Sequence, residues 1–280
     1  MGKLYIVGTP IGNINDITYR AVSTLRSVDF ICAEDTRVTM KLLNYYETKK
    51  PLVSYHEHNA KAVGSIICDR IAAGENAAIV TDAGMPCISD PGEQLVKLCA
   101  ERGIPVEVVP GPSACVSALA VSGLDTAHFS FEGFLSVQNK QRFSQLASAA
   151  RKDSTLIFYE APHKLLKTLE DMLEYLGDRK ISICRELTKL HEEVIRTTIS
   201  EAIGYYKQDG SRPRGEFVLV VEGCTEQPDE EQQTIESALL RVKELTGNGM
   251  RPADACREIA KVSPFSKSEL YSAYLEENGK

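Results

Sequence analysis

The amino-acid sequence predicts an α/β protein: two α/β domains followed by a small C-terminal helical domain of helix-turn-helix type. Three observations predict it. Short, continuous apolar runs alternate with helical patterns up to residue 112. Strand signals then become denser up to residue 224. Beyond an acidic, apolar-poor stretch only helical patterns remain. The expected domains are therefore 1–112, 113–224 and 225–280, the last including its linker.

In the first domain the apolar runs 3–7, 28–32, 77–81 and 106–109 are each bounded by Gly, Pro or acidic residues. Helical patterns lie between and after them at 16–27, 36–46, 59–73 and 92–102. Unbroken apolar strands separated by helices imply a mostly parallel sheet covered on both faces. A Pro-Gly-Pro turn at 110–112 opens a helix of small residues at 113–122. The second domain continues with strands at 129–132, 155–159, 181–185, 194–198 and 217–221 and helices at 163–176 and 200–207, a mixture that suggests more antiparallel pairing. TEQPDEEQQ, residues 225–233, reads as a linker. The last helices are expected at 234–245, 252–261 and 267–276, the final two joined by the turn VSPFS. A helix-turn-helix module and a helical cap packed on the main body satisfy this pattern equally.

Composition bounds the function. Of 280 residues, 43% are hydrophobic and 25% charged, which suits a globular protein with a substantial core. No stretch approaches the roughly 20 apolar residues of a membrane span. The start, MGKLYIVGTP, lacks a signal-peptide core, and Ile6 stands where myristoylation wants Ser or Thr. A cytoplasmic protein without membrane association is expected. Eight cysteines are scattered without a C-x-x-C pair, so no metal site is expected and most should be small buried fillers. The net charge of −7 argues against bulk coating of nucleic acid but leaves room for a local basic patch.

Four loops sit where strands end, the place where open α/β sheets collect ligands. GTPIGN, residues 8–13, has two glycines but is neither a Walker loop nor G-x-G-x-x-G. TDAGMPCISDPG, residues 81–92, follows the apolar run AAIV and is crowded with residues that dictate backbone path. Within it Asp90 precedes Pro91, which suits a helix cap better than a ligand contact. VPGPSA, residues 109–114, runs into a helix whose first N–H groups are unpaired. FYEAPH, residues 158–163, is the fourth, and Glu186 and Leu187 follow the next strand.

These loops, with AEDTR, SYHEHN and GEFVLVVEG, carry a resemblance. VGTPIGNINDIT aligns with the tetrapyrrole-methylase opening V-G-x-G-P-G-D-x-x-L-x-T. In order and spacing the whole set resembles the branch of that superfamily that methylates small-subunit ribosomal RNA, over residues 3–223 and again in the helical tail. The resemblance implies two domains of tetrapyrrole-methylase type with an S-adenosyl-L-methionine (SAM) cleft between them. It implies SAM-dependent methylation of a cytidine ribose 2′-hydroxyl in 16S rRNA of the small ribosomal subunit, by a metal-free homodimer. Carried over position by position, the SAM contacts are Pro10, Ala83, Gly84, Met85, Ile88, Ser113, Ala114, Glu160 and Leu187. The chain departs from the tetrapyrrole pattern at Pro10, Ile11 and Asn13. The Asn removes a carboxylate, which weighs against the alternative of a small tetrapyrrole-type substrate.

Methyl transfer to a hydroxyl needs an in-line nucleophile and a group to take its proton. Asp35, Arg37 and His56, from AEDTR and SYHEHN, are the candidate catalytic residues: Asp35 or His56 as base, Arg37 as a phosphate clamp. The competing reading makes Asp35 a helix cap, Arg37 a solvated side chain and His56 ordinary loop polarity. Glu160 and His163 could likewise cap a helix. Lys140, Arg142, Lys152 and the tail residues Arg251, Arg257, Lys261, Lys267, Tyr271 and Tyr274 are compatible with RNA contact or with solvated and core positions.

Overall fold

The computed structural model describes residues 1–208, 213–225, 235–247, 250–260, 263 and 265–278. It divides into two compact units, Met1–Cys224 and Thr225–Lys280.

The first unit holds two five-stranded sheets. In the first, β1 (Leu4–Val7), β2 (Phe30–Ala33), β3 (Leu52–Ser54), β4 (Ala77–Val80) and β5 (Val106–Val109) run in the order β3-β2-β4-β1-β5, every pair parallel. Helices α1 (Tyr19–Ser27), α2 (Thr36–Tyr45), α3 (Ala60–Ala72) and α4 (Gly92–Glu101) cross over between strands. Side chains of a strand alternate between faces. Accordingly Phe30 and Cys32 join one core cluster with Leu4, Ile67 and Leu95, while Ile31 and Ala33 join another with Val7, Leu25 and Val109. Both faces are thus covered, as the unbroken apolar runs imply. β3 has no counterpart in the sequence reading, because three residues, LVS, are too short to show a pattern.

After α5 (Ala114–Ser122), the second sheet contains β6 (Phe129–Phe134), β7 (Thr155–Glu160), β8 (Lys180–Arg185), β9 (Glu193–Thr198) and β10 (Phe217–Val221). Their order is β6-β7-β10-β8-β9; β6 and β7 are parallel and the remaining pairs antiparallel. α6 (Asn139–Ala149), α7 (Leu165–Leu176) and α8 (Ile199–Gln208) supply Leu146, Leu169 and Ile199 to a core with Leu156, Phe158 and Leu219. α5 packs on the other set of strand positions, Ile157, Cys184, Val218 and Val220. α6 is the second element that the sequence reading lacks.

The second unit is described by itself: α9 (Ile235–Gly247), α10 (Pro252–Ala260) and α11 (Lys267–Asn278) close around Ala238, Val242, Ala255, Cys256, Ile259 and Leu270. Tyr274 packs against this core, and Tyr271 is partly exposed. Lys261, most of the 225–233 stretch and part of the VSPFS turn lie outside the described residues. Among the described residues no helix is long and apolar enough to cross a membrane, and six of the eight cysteines are buried.

Candidate cofactor and active site

Because β1, β4 and β5 are parallel neighbours, the loops that follow them emerge at one edge of the sheet. The backbone ties those loops together. Thr9 and Gly84 exchange N–H···O bonds of 2.9 and 3.2 Å, and the Gly8 N–H donates to Val109 O at 3.1 Å. Gly8 and Gly111 touch so closely that a Cβ on Gly8 would lie 2.7 Å from Gly111 Cα. Gly84 has φ +85°, open to glycine at no steric cost. The Gly111 N–H donates to the Met85 sulfur at 3.2 Å.

The two aspartates of loop 81–92 shape it. Asp90 accepts from the Cys87 and Gly92 N–H groups, both at 2.7 Å, which staples the loop to the first turn of α4. Cys87 and Ser89 are held at φ of +70° and +60°, a conformation that non-glycine residues seldom adopt. Asp82 accepts the Asp35 N–H at 3.2 Å. Burial pushes both carboxyls up from their ordinary values.

Between these loops and the second sheet lies a cavity of about 450 Å³, within the range of small-molecule sites. Of the expected cofactor contacts, Ala83, Gly84, Met85, Ile88, Ser113, Ala114, Glu160 and Leu187 line it; Pro10 does not, and its neighbour Ile11 does. Residues the sequence reading missed also line it, among them Thr81, Phe134, Tyr159, Glu216 and Val218. Most sit in or beside strands, where an apolar letter looks the same whether it faces core or ligand. The Tyr159 hydroxyl accepts the Cys115 N–H at 3.1 Å and so satisfies the first turn of α5. Ser113, at the cap of that helix, makes no capping bond with its side chain.

The charge of the lining is one-sided. Glu34, Asp90, Glu160 and Glu216 contribute carboxylates, Glu216 being paired with Lys189 at 2.8 Å, and the lining itself includes no Lys, Arg or His among the described residues. With the apolar Ile11, Met85, Leu187 and Val218 beside them, these walls favour a compact ligand that carries positive charge. Leu187 itself is presented by a strained turn, with Glu186 at φ +51° and Thr188 at φ +65°. Thr188 Oγ1 accepts the Asn13 N–H at 3.0 Å, so this turn reaches across to the first-domain loop.

Glu160 is held from behind. Its Oε1 accepts the Ala161 N–H at 2.7 Å and its Oε2 the Thr168 hydroxyl proton. Arg142, considered above for RNA contact, is buried: it bonds Thr168 Oγ1 and Asp171 Oδ2, each at 2.7 Å. Lys152 pairs with Glu132 at 2.5 Å.

Asp35, Arg37 and His56 are not among the lining residues. Asp35 caps α2 by accepting the Arg37 N–H at 2.8 Å, and its carboxylate chelates the Arg37 guanidinium at 2.6–3.2 Å. Those bonds hold the Asp35 carboxyl down at about 2, a poor proton acceptor. Most of the Arg37 side chain is exposed. The His56 ring meets His58 edge to face, and its Nδ1 is buried without a hydrogen-bond partner among the described residues. The acid from AEDTR that does line the cavity is Glu34, whose Oε2 accepts the Thr81 hydroxyl at 3.1 Å.

Residues 3–203 match the family of tetrapyrrole (corrin/porphyrin) methylases. The chain belongs to the tetrapyrrole methylase family. Members of this family are SAM-dependent. Its relatives include proteins named ribosomal RNA small subunit methyltransferase I. That of Bacillus subtilis (strain 168) is 47% identical over 98% of this chain and 94% of its own length. That of Thermotoga maritima is 52% identical over 80% of this chain and 99% of its own length, and that of Escherichia coli O157:H7 is 39% identical over 99% and 96%. Among solved structures, uroporphyrin-III C-methyltransferase from Thermus thermophilus superposes with a TM-score of 0.56 at 21% identity, over 79% of this chain and 94% of that one. Diphthine synthase gives 0.59 at 12%, over 79% and 90%. At these identities the tetrapyrrole methylase fold is shared and the substrate is free to differ.

Proposed function

We propose that this protein transfers a methyl group from SAM to the ribose 2′-hydroxyl of a cytidine in 16S rRNA of the small ribosomal subunit. The observation that carries the cofactor half is the cavity: acid-lined, without a cationic side chain, floored by glycine and small residues. The SAM sulfonium supplies an electrophilic methyl group that needs no metal or acid to activate it. The chain's part is placement. Gly84 and the Thr9 bridge fix the loop that receives the cofactor, and Ala83, Met85, Ile88, Ser113, Ala114 and Leu187 shape its seat. Pro10, outside the lining, directly precedes Ile11, which is in it.

Asp35, Arg37 and His56 then belong to the RNA-facing rim of the first domain (residues 1–112), across the cleft from the second (113–224). With Asp35 committed to Arg37, Glu34 is the group best placed to accept the 2′-hydroxyl proton. Arg37 offers an exposed guanidinium to phosphate. The homodimer implied by the resemblance has a candidate face. β5 is an edge strand with Val106 and Val108 exposed, and α5 exposes Val116 and Val121. A second copy of the chain would cover these valines. The Thermotoga maritima relative matches 223 residues, 99% of its length, so it has no room for the 225–280 helices. The proposed SAM site is accordingly drawn from residues 1–224 alone. A ribosomal substrate places the protein in the cytoplasm.

Incubating the protein with labelled SAM and, in parallel, with 30S subunits that lack the modification or with a porphyrinoid tests the reading. Label on a 16S rRNA ribose is expected; label on a porphyrinoid and none on RNA would reverse it. In the same assay Glu34→Gln should lower the rate about 100-fold, well beyond the loss of SAM affinity from removing one cavity carboxylate, as for loss of a general base. Light scattering on the purified protein alone should give the mass of two chains.

A further inference from the structure

Behind the cavity's second-domain wall runs a buried chain of polar groups that reaches helices α6 and α7. Glu160 is 5% exposed and ends β7. Thr168 is fully buried, and its Oγ1 lies between Arg142 Nη2, at 2.7 Å, and Glu160 Oε2. A guanidinium can only donate, and a hydroxyl has one proton. With the Arg142 N–H on its oxygen, the Thr168 proton is directed to Glu160, so Oε2 is an acceptor. The Ala161 N–H makes Oε1 an acceptor too. Each carboxylate oxygen has about two lone-pair sites, so one on each is left for a ligand that donates. Arg142 is itself locked by Asp171, 1% exposed, whose other oxygen pairs with Lys167 Nζ at 2.7 Å.

We propose that Arg142 and Thr168 are positioning residues for cofactor binding: they hold Glu160 as a fixed, acceptor-only carboxylate that receives N–H or O–H donors of SAM. The inference rests on the SAM reading of the cavity. It assigns a purpose to a buried Arg on the far side of Glu160, where removing a single hydroxyl should be felt at the ligand. A carboxylate already oriented loses less freedom when the ligand arrives.

The test is calorimetric SAM binding to the full-length protein. Thr168→Val keeps the shape and removes the hydroxyl; it should weaken binding about tenfold, as for a hydrogen bond to a charged group. Thr168→Ser should restore affinity to within about twofold. The decisive measurement is the double variant Thr168→Val with Glu160→Gln. If Thr168 acts through Glu160, the pair is no weaker than Glu160→Gln alone; independent, multiplying losses overturn the proposal. In steady state KM for SAM should rise, with KM for RNA unchanged. Should Thr168→Val not unfold cooperatively in urea, Arg142→Lys, which keeps a charge beside Asp171, enters the same cycle. Wild-type protein that binds no SAM would overturn the cavity reading itself. Wild type that binds and Thr168→Val that binds equally well would overturn only this inference.

Discussion

The two walls of the cavity are built by different means. The first-domain wall is main chain: three loops joined by the Thr9–Gly84 exchange, the Gly8–Val109 bond and the Gly8–Gly111 contact, with Asp90 tying down the end. The second-domain wall is side chain: Glu160 backed by Thr168, Arg142 and Asp171, all buried. A main-chain wall is disturbed by added atoms, because it has no room. A side-chain wall is disturbed by removed atoms, because a buried charge is left without a partner.

The largest effect is expected where a charge is stranded. Arg142→Met leaves Asp171 with only the exposed Lys167 and should cost about 3–5 kcal/mol of stability, read from urea unfolding. The double variant Arg142→Met with Asp171→Leu removes both ions and should recover most of that loss. A double variant as unstable as the single one would mean that packing of α6 on α7, rather than charge, holds this wall.

The same contrast explains what the sequence revealed. Loops 8–13, 81–92 and 109–114 were legible because a main-chain wall needs Gly, Pro and Asp, and these letters have backbone meaning. Parallel strands with both faces covered were legible as unbroken apolar runs. The side-chain wall was not legible. Arg142 looks like a solvated helix residue, because its partners Thr168 and Asp171 lie 26 and 29 positions away. That buried Arg also interrupts the apolar stripe of α6, whose large apolar residues are only Phe143 and Leu146, and the helix itself was missed. Glu34 and Asp35 stand side by side in AEDTR, and only the start of α2 decides which one caps the helix and which one lines the cavity.

On the main-chain wall Gly8→Ala is the sharper instrument. Its methyl would meet Gly111 Cα at 2.7 Å, backbone against backbone, and a shift of either loop would move the Thr9–Gly84 bridge. Overpacking of this kind should cost about 1–3 kcal/mol in urea unfolding, with SAM affinity falling more steeply than stability. Stability lost with affinity intact would show that the 81–92 loop holds its shape without the Gly8 contact.

The smallest effect separates two pairs of the same chemistry. Arg142–Asp171 is buried, whereas Arg37–Asp35 lies at the surface with the Arg side chain 86% exposed. Surface pairs contribute little to stability, so of these variants Arg37→Ala should lower stability to urea at neutral pH the least. What it should move is a titration. The Arg37 side chain is the first cause of the low Asp35 value of about 2, followed by its backbone N–H. Since the folded value lies below the unfolded one, about 3.9, the pair's contribution is present above that pH and is lost as pH falls towards 2. Without the guanidinium the Asp35 carboxyl should titrate closer to 3.9, visible by NMR of the carboxyl carbon, and stability should depend less on pH between 4 and 2. A carboxyl that still titrates near 2 would assign the shift to the cap N–H of α2. The α2 cap would then keep its charge when Arg37 leaves Asp35 for an RNA phosphate.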